Sequence, residues 1–187
     1  MRYPSLRAKI PNVWLMSDER TDATLDEAVE ALPRGSGVIF RHYHLDRDSR
    51  RERFLTVNQI AKRCGHLILL ADSPSAARKW GADGVHGRQW HRCEKAGLIH
   101  SAPVHNLREI MIANQNGADI FFLSPAFATR SHPGKRPLSH LHMNQLISRC
   151  DGPVILLGGM TAQRLGQRKD SGAHGWAGID AFSKVSD

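Results

Sequence analysis

The 187-residue chain has little cysteine and few aromatic residues, three cysteines and 6% Phe, Trp and Tyr. Cys64, Cys93 and Cys150 are far apart and form no CxxC pair. That spacing excludes a disulfide framework and a zinc ribbon, and the three read as reduced thiols in a reducing compartment. No apolar run approaches the ~20 residues of a membrane span. The opening residues, MRYPSLRAKIPNVW, carry no apolar core followed by a small-residue cleavage site. The expectation is a cytoplasmic protein with no membrane partner. There is no HxxxH or HExxH helix and no compact carboxylate cluster, so a permanent zinc site is not expected. No shift in composition marks a boundary, and residues 1–187 read as one domain.

What is present suits a globular protein, with hydrophobic residues at 41%. The formal charge is +8, and there are 11 histidines besides. Such a balance favours anionic partners. The densest basic cluster, Arg47 to Arg53, is interleaved with Asp48 and Glu52 and reads as a solvated helix face, not a nucleic-acid surface. Phosphorylated small molecules are therefore the expected partners, without nucleic acid. The sequence leaves the oligomeric state, including a homo-oligomer, open.

Eight strand-like runs alternate with helical patterns. The strands are expected at 13–16, 37–43, 66–72, 83–86, 98–105, 119–123, 153–159 and 175–182. Between them, Leu25, Ala28, Val29 and Leu32 recur at helical spacing behind a cap at Asp22. Asp48 opens a second helix whose inner stripe is Phe54, Val57, Ala61 and Cys64, with Gly65 past its end. A short helix starts at Pro74. Asn106, with Glu109 three residues on, caps a helix expected to turn Leu107, Ile110, Met111 and Ala113 inward. Ser139 and Thr161 cap two more. Ten residues, 88–97, leave little more than a turn for the fourth connection, and only five residues follow the last strand.

This alternation points to a compact (β/α)8 TIM barrel with a shortened fourth connection and no eighth helix. A doubly wound open sheet is the alternative, since apolar runs such as HLILLA and PVILLG suit either. Barrels typically need roughly 250 residues; the trimmed connections accommodate the shorter chain. Residues 1–12 are expected to cover the barrel floor.

In a barrel the chemistry sits at the C-terminal ends of the strands. Those ends offer Ser17-Asp18-Glu19, Arg41 to His44, Asp72, His86, His105, the loop with Thr129, Ser131 and His132, Gly158-Gly159 and Gly178 to Asp180. Glycines at the last two strand ends let main-chain N–H groups approach phosphate oxygens. Asp72 is the best single metal candidate, because one carboxylate plus substrate phosphates often holds Mg²⁺. Its other reading is an N-cap for the helix at Pro74.

The strings GADGVHG, FFLSPAFATRSHPG, PVILLGGM and GAHGWAGIDAF, in this order, resemble those of thiamine-phosphate synthases and the related thiazole tautomerases, over about residues 13–182. The resemblance implies a (β/α)8 barrel acting in thiamin biosynthesis. A synthase joins hydroxymethylpyrimidine diphosphate to thiazole phosphate with help from Mg²⁺; a tautomerase moves a proton on the thiazole. It further implies thiazole-phosphate contacts at Thr129, Ser131, Gly158, Gly159, Gly178 and Ile179, Arg41 as a catalytic contact to the diphosphate, and Asp72 as the magnesium ligand. His105 matches a family histidine and is the candidate acid–base group. The diphosphate half departs from the family. Of its QxRxK only Arg41 survives, its Asn-Asp pair is Ala71-Asp72, and no Asp follows GVHG. Its loop lysine is His132, its strand-five serine is Pro103, and Asp180 replaces a serine. A non-catalytic thiazole-phosphate binder is the third alternative.

Overall fold

The computed structural model describes residues 10–88, 90, 94–128, 136–167 and 169–182. Eight parallel strands close into a barrel in sequence order: β1 Val13–Met16, β2 Gly37–Phe40, β3 Leu67–Leu70, β4 Gly84–His86, β5 Ile99–Val104, β6 Ile120–Leu123, β7 Val154–Leu156 and β8 Gly175–Gly178. Closure is made by β1 against β8, with Leu15 paired to Gly178 on one side and to Val38 of β2 on the other. The described helices are α1 Leu25–Ala31, α2 Arg47–Cys64, α3 Pro74–Trp80, α4 Leu107–Gln115, α5 His140–Ile147 and α6 Ala162–Gly166. The open-sheet alternative is thereby excluded.

Strand alternation sorts side chains to two faces, and both are buried. Trp14, Met16, Ile39, Leu69, Ile120, Phe122 and Ile155 fill the interior together with Ile10 from the segment before β1. Leu15, Val38, Phe40, Ile68 and Leu70 point outward to α1, α2 and α3, and Phe121, Leu123, Val154 and Leu156 to α4 and α5. Ile10 thus covers the interior from below as expected; residues 1–9 lie outside the described set. Two glycines make room inside the barrel. A Cβ on Gly37 would lie 2.2 Å from the Trp14 ring, and one on Gly84 2.1 Å from the Ile99 carbonyl oxygen.

The short chain closes a barrel by trimming its connections. No helix stands among the described residues between β4 and β5; a turn ends where Leu98 N–H donates to the Lys95 carbonyl. In its place the buried Lys95 ammonium meets His100 Nδ1 at 3.0 Å and the Gly117 carbonyl. After β8 the described chain has only a single 3-10 turn, Asp180–Phe182.

Several local expectations need correction. Asp22 does not cap α1, whose N-cap is Thr24, but lies within the 3-10 turn Glu19–Thr24 that Asp18 caps; Asp46, not Asp48, caps α2, accepting from Asp48 and Ser49 N–H groups. Ser73 caps α3 by accepting from Ala76 N–H, so Asp72 is not that cap. On α4, Ile110 and Ala113 are buried, but Leu107 and Met111 are about half exposed. At 100° per residue those two lie a quarter turn or more from the buried row. Asn106, Ser139 and Thr161 cap their helices as expected.

The close approach at Gly84 gives a stability test. Gly84→Ala should cost about 1–3 kcal/mol or more in urea unfolding, because main chain cannot move aside as a side-chain tip can. Gly166→Ala, with open space around the new methyl, should be neutral or slightly stabilising. Equal losses would contradict the interior packing described.

Candidate active site

All strands are parallel, so their C-terminal ends share one mouth. Arg41, Asp72, His105, Gly158-Gly159 and Gly178-Ile179 all follow such ends. Thr129, Ser131 and His132 lie outside the described residues.

Arg41 follows β2. Its Nε donates to the Ser17 carbonyl at 2.7 Å and its NH2 to Asp18 Oδ2 at 2.8 Å, so β1 aims it. A polar chain behind it fixes the same corner. Asp22 Oδ1 is 2.8 Å from His42 Nε2 and can only accept, which puts the imidazole proton on Nε2. His42 Nδ1 then accepts the Ser17 hydroxyl proton at 2.9 Å, and the Ser17 oxygen accepts Arg41 N–H at 2.8 Å. Arg53 clamps the far end, donating to Asp22 and Asp26 at 2.7 Å. Burial opposes charge on Asp22, but hydrogen bonds from Arg53 and His42 outweigh it and hold the carboxyl below its ordinary range. His42 is fully enclosed, and burial lowers its pKa more than Asp22 raises it.

Asp72, after β3, faces Arg50 of α2. Arg50 NH1 donates to Asp72 Oδ2 at 2.5 Å, NH2 to the Ala71 carbonyl at 3.0 Å, and Nε to the Arg41 carbonyl at 2.7 Å. Its guanidinium lies 5.2 Å from the Tyr43 ring centroid and 5.8 Å from that of Trp80. Arg50 is 8% exposed. The reading of Arg47 to Arg53 as a solvated face is therefore corrected at Arg50 and Arg53; Arg47 and Arg51 are exposed. The signal was present, since Arg50 precedes Phe54, Val57 and Ala61 on the inner stripe by one helical step.

His86 points inside, its Nδ1 2.8 Å from the Ser101 hydroxyl and its ring edge-on to Phe122. Burial, with the nearby charge of Arg41 next, lowers its pKa to about 3, so it is a neutral imidazole under the mouth. His86 stands at a strand end legible in the sequence, whereas Ser101, its direct register partner in β5, carries no such signal.

His105 follows β5 and is held by α4. Glu109 Oε2 accepts both the His105 main-chain N–H and its Nδ1 proton, each at 2.8 Å. Arg88, which can only donate, sits 3.0 Å from that nitrogen and 3.3 Å from Glu109 Oε1, so it partners the carboxylate. Burial opposes the Glu109 charge, but the His105 hydrogen bonds prevail and lower its pKa. His105 is thus fixed as the Nδ1–H tautomer, with Nε2 left to exchange a proton. A cleft of about 290 Å³ beside it is lined by Arg88, Ala102, Pro103, Asn106, Glu109 and Ile112 among others.

Gly158 and Gly159 adopt left-handed φ values of 97° and 58°. A Cβ on Gly159 would lie 2.3 Å from the Ala128 carbonyl oxygen, so bulk there would break the loop as well as any phosphate contact. Asp180 points toward Arg20, 3.9 Å away.

The donor set does not fit a carboxylate-held metal. Both Asp72 oxygens are engaged, Oδ2 by Arg50 and Oδ1 by Ser73 N–H at 2.6 Å. Among the described residues no three His, Cys, Asp or Glu side chains form a group able to hold a metal ion. No helix among them is long and apolar enough to cross a membrane.

Comparison with known proteins agrees with this architecture. The family signature of thiamine monophosphate synthase matches residues 13–182. Thiamine-phosphate synthase of Bacillus velezensis is 24% identical over 187 residues, 93% of this chain and 84% of that protein. That of Pyrococcus furiosus is 24% identical over 98% of this chain and 91% of its own length. The solved thiamine phosphate pyrophosphorylase of Pyrococcus furiosus superposes with a TM-score of 0.80 at 22% identity, covering 97% of this chain and 91% of that one.

The buried imidazoles set a pH dependence. Burial lowers the pKa of His42, His66, His86 and His100. Between the unfolded value near 6.5 and each folded value, the unfolded chain binds more protons, so stability must fall as pH falls. Each such histidine contributes a slope of up to about 1.4 kcal/mol per pH unit. Urea unfolding at pH 7 and pH 5, above the carboxylate range, should show the loss; equal stability would contradict neutral burial.

Proposed function

This chain belongs to the thiamine monophosphate synthase family, and from that membership we propose that it is a transferase joining hydroxymethylpyrimidine diphosphate to thiazole phosphate in thiamin biosynthesis. The observation that carries the proposal is Arg41, a guanidinium aimed by Asp18 and the Ser17 carbonyl at the end of β2. In the reaction the bond between the pyrimidine methylene carbon and the diphosphate oxygen breaks, and diphosphate leaves with the electron pair. The thiazole nitrogen lone pair then forms the new carbon–nitrogen bond. Arg41 stabilises the charge that develops on the leaving diphosphate, where a preorganised cation contributes most. The thiazole phosphate is assigned to main-chain N–H groups at Gly158, Gly159, Gly178 and Ile179, with Thr129, Ser131 and His132 as further contacts. No step is assigned to a metal ion.

A second reading, the thiazole tautomerase, is favoured by one observation. His105 has its tautomer set by Glu109 at Nδ1, which directs Nε2 to the role of proton acceptor that a proton transfer needs.

Two variants separate these readings. For a synthase, Arg41→Ala should abolish coupling of the two substrates, and His105→Gln should matter little. For a tautomerase, His105→Gln should lower proton transfer by ~10²–10⁴-fold while Arg41→Ala has little effect. Thermal melts of each variant report any folding loss. Activity in neither assay would leave a non-catalytic binder of thiazole phosphate.

A further inference from the structure

Four carboxylates around the mouth, Asp18, Asp72, Glu109 and Asp180, face cations of the chain itself, and Glu19 beside Asp18 lies exposed at the surface. Asp18 is bonded to Arg41 at 2.8 Å and to Arg20 at 2.7 Å. Asp72 is bonded to Arg50, and Glu109 to His105 and Arg88. Asp180 lies 3.9 Å from Arg20. Of the residues outside the described set, the only acidic side chain is Asp187. Magnesium demands several hard oxygen ligands in near-octahedral geometry. A divalent cation on Asp72 would have to share its oxygens with donors already there, Arg50 on Oδ2 and Ser73 N–H on Oδ1, and sit beside the fixed charge of a guanidinium that has almost no access to water.

Arg50 has a second tie that explains why it is there. Its Nε donates to the Arg41 carbonyl, and its NH2 to the Ala71 carbonyl beside Asp72. One planar fork therefore joins the ends of β2 and β3, which fixes the main chain from which the Arg41 side chain projects. Asp72 neutralises the fork and holds its orientation.

We propose that this enzyme neutralises its substrate's phosphates with arginine and not with a divalent cation on Asp72, and that Asp72 is a positioning residue for Arg41, acting through Arg50. The proposal takes the identity of the anion from the synthase reading. Its chemistry is a guanidinium site for a diphosphate: bidentate N–H donors with fixed charge, independent of metal.

The test uses the full chain with inorganic diphosphate, by calorimetry in EDTA and in excess Mg²⁺, and by the Mn²⁺ spin-resonance signal. The dissociation constant should agree within about twofold between EDTA and Mg²⁺. Added protein should remove no Mn²⁺ signal beyond what free diphosphate removes. Asp72→Asn and Arg50→Lys should each weaken diphosphate at least about tenfold, equally with and without metal, while Glu52→Gln on the exposed face of α2 leaves it unchanged. A tenfold or greater tightening by Mg²⁺ that disappears in Asp72→Asn would overturn the proposal, as would failure to bind diphosphate in both conditions. The Mn²⁺ measurement needs no variant, so a folding defect cannot mask the outcome. Metal-independent diphosphate binding without any coupling product would sink the synthase reading and sustain this one.

Discussion

A buried guanidinium must find acceptors for its N–H groups, because leaving a charge enclosed and unpaired costs several kcal/mol. Arg50 finds them at two strand ends at once, on the carbonyls of Arg41 and Ala71 and on Asp72. That requirement ties α2 to β2 and β3 at the functional end of the barrel. It determines which way Arg41 leaves its strand and why Asp72 is not free. The Tyr43 and Trp80 rings lie against the same guanidinium, and its near-complete enclosure strengthens each of its hydrogen bonds.

The remaining corners of the mouth follow the same logic of acceptor-only and donor-only groups. Asp22 fixes the proton of His42, His42 orients the Ser17 hydroxyl, and Ser17 receives the Arg41 amide. Glu109 fixes the proton of His105 in the same manner. Each network ends on a carboxylate whose pKa is lowered by its hydrogen bonds, Asp22 by those from Arg53 and His42 and Glu109 by those from His105. Among the described residues, Arg41 and His105 are thus each held rigidly in one orientation by hydrogen bonds. Rigidity of this kind supports positioning catalysis, since little has to rearrange as charge develops.

Much of the fold was legible because the strands are buried on both faces and therefore read as continuous apolar runs. HLILLA and PVILLG stood out for that reason, and the strand ends named the residues at the mouth. The order of four motifs supplied the family. What was not legible depends on contacts remote in sequence. Arg50 read as solvated because its neighbours Arg47, Arg51 and Glu52 are, although its spacing to Phe54 and Val57 pointed inward. Glu109 read only as part of a helix cap; its carboxylate instead reaches one residue further back, to His105. Leu107 and Met111 read as core because apolar residues at near-helical spacing do not reveal how wide the buried stripe is. The Arg50 partner of Asp72 was equally invisible, since it lies 22 residues away on another element.

Arg41, aimed by Asp18 and anchored through Arg50 and Asp72, is the cation proposed to bind the anion at the mouth. A crystal structure of the chain grown with inorganic diphosphate in EDTA tests it most directly. Diphosphate density is expected within hydrogen-bond distance of the Arg41 guanidinium, with the Arg50–Asp72 pair intact. Diphosphate bound away from Arg41, or an Asp72 carboxylate released from Arg50 and turned to the ligand, would contradict it.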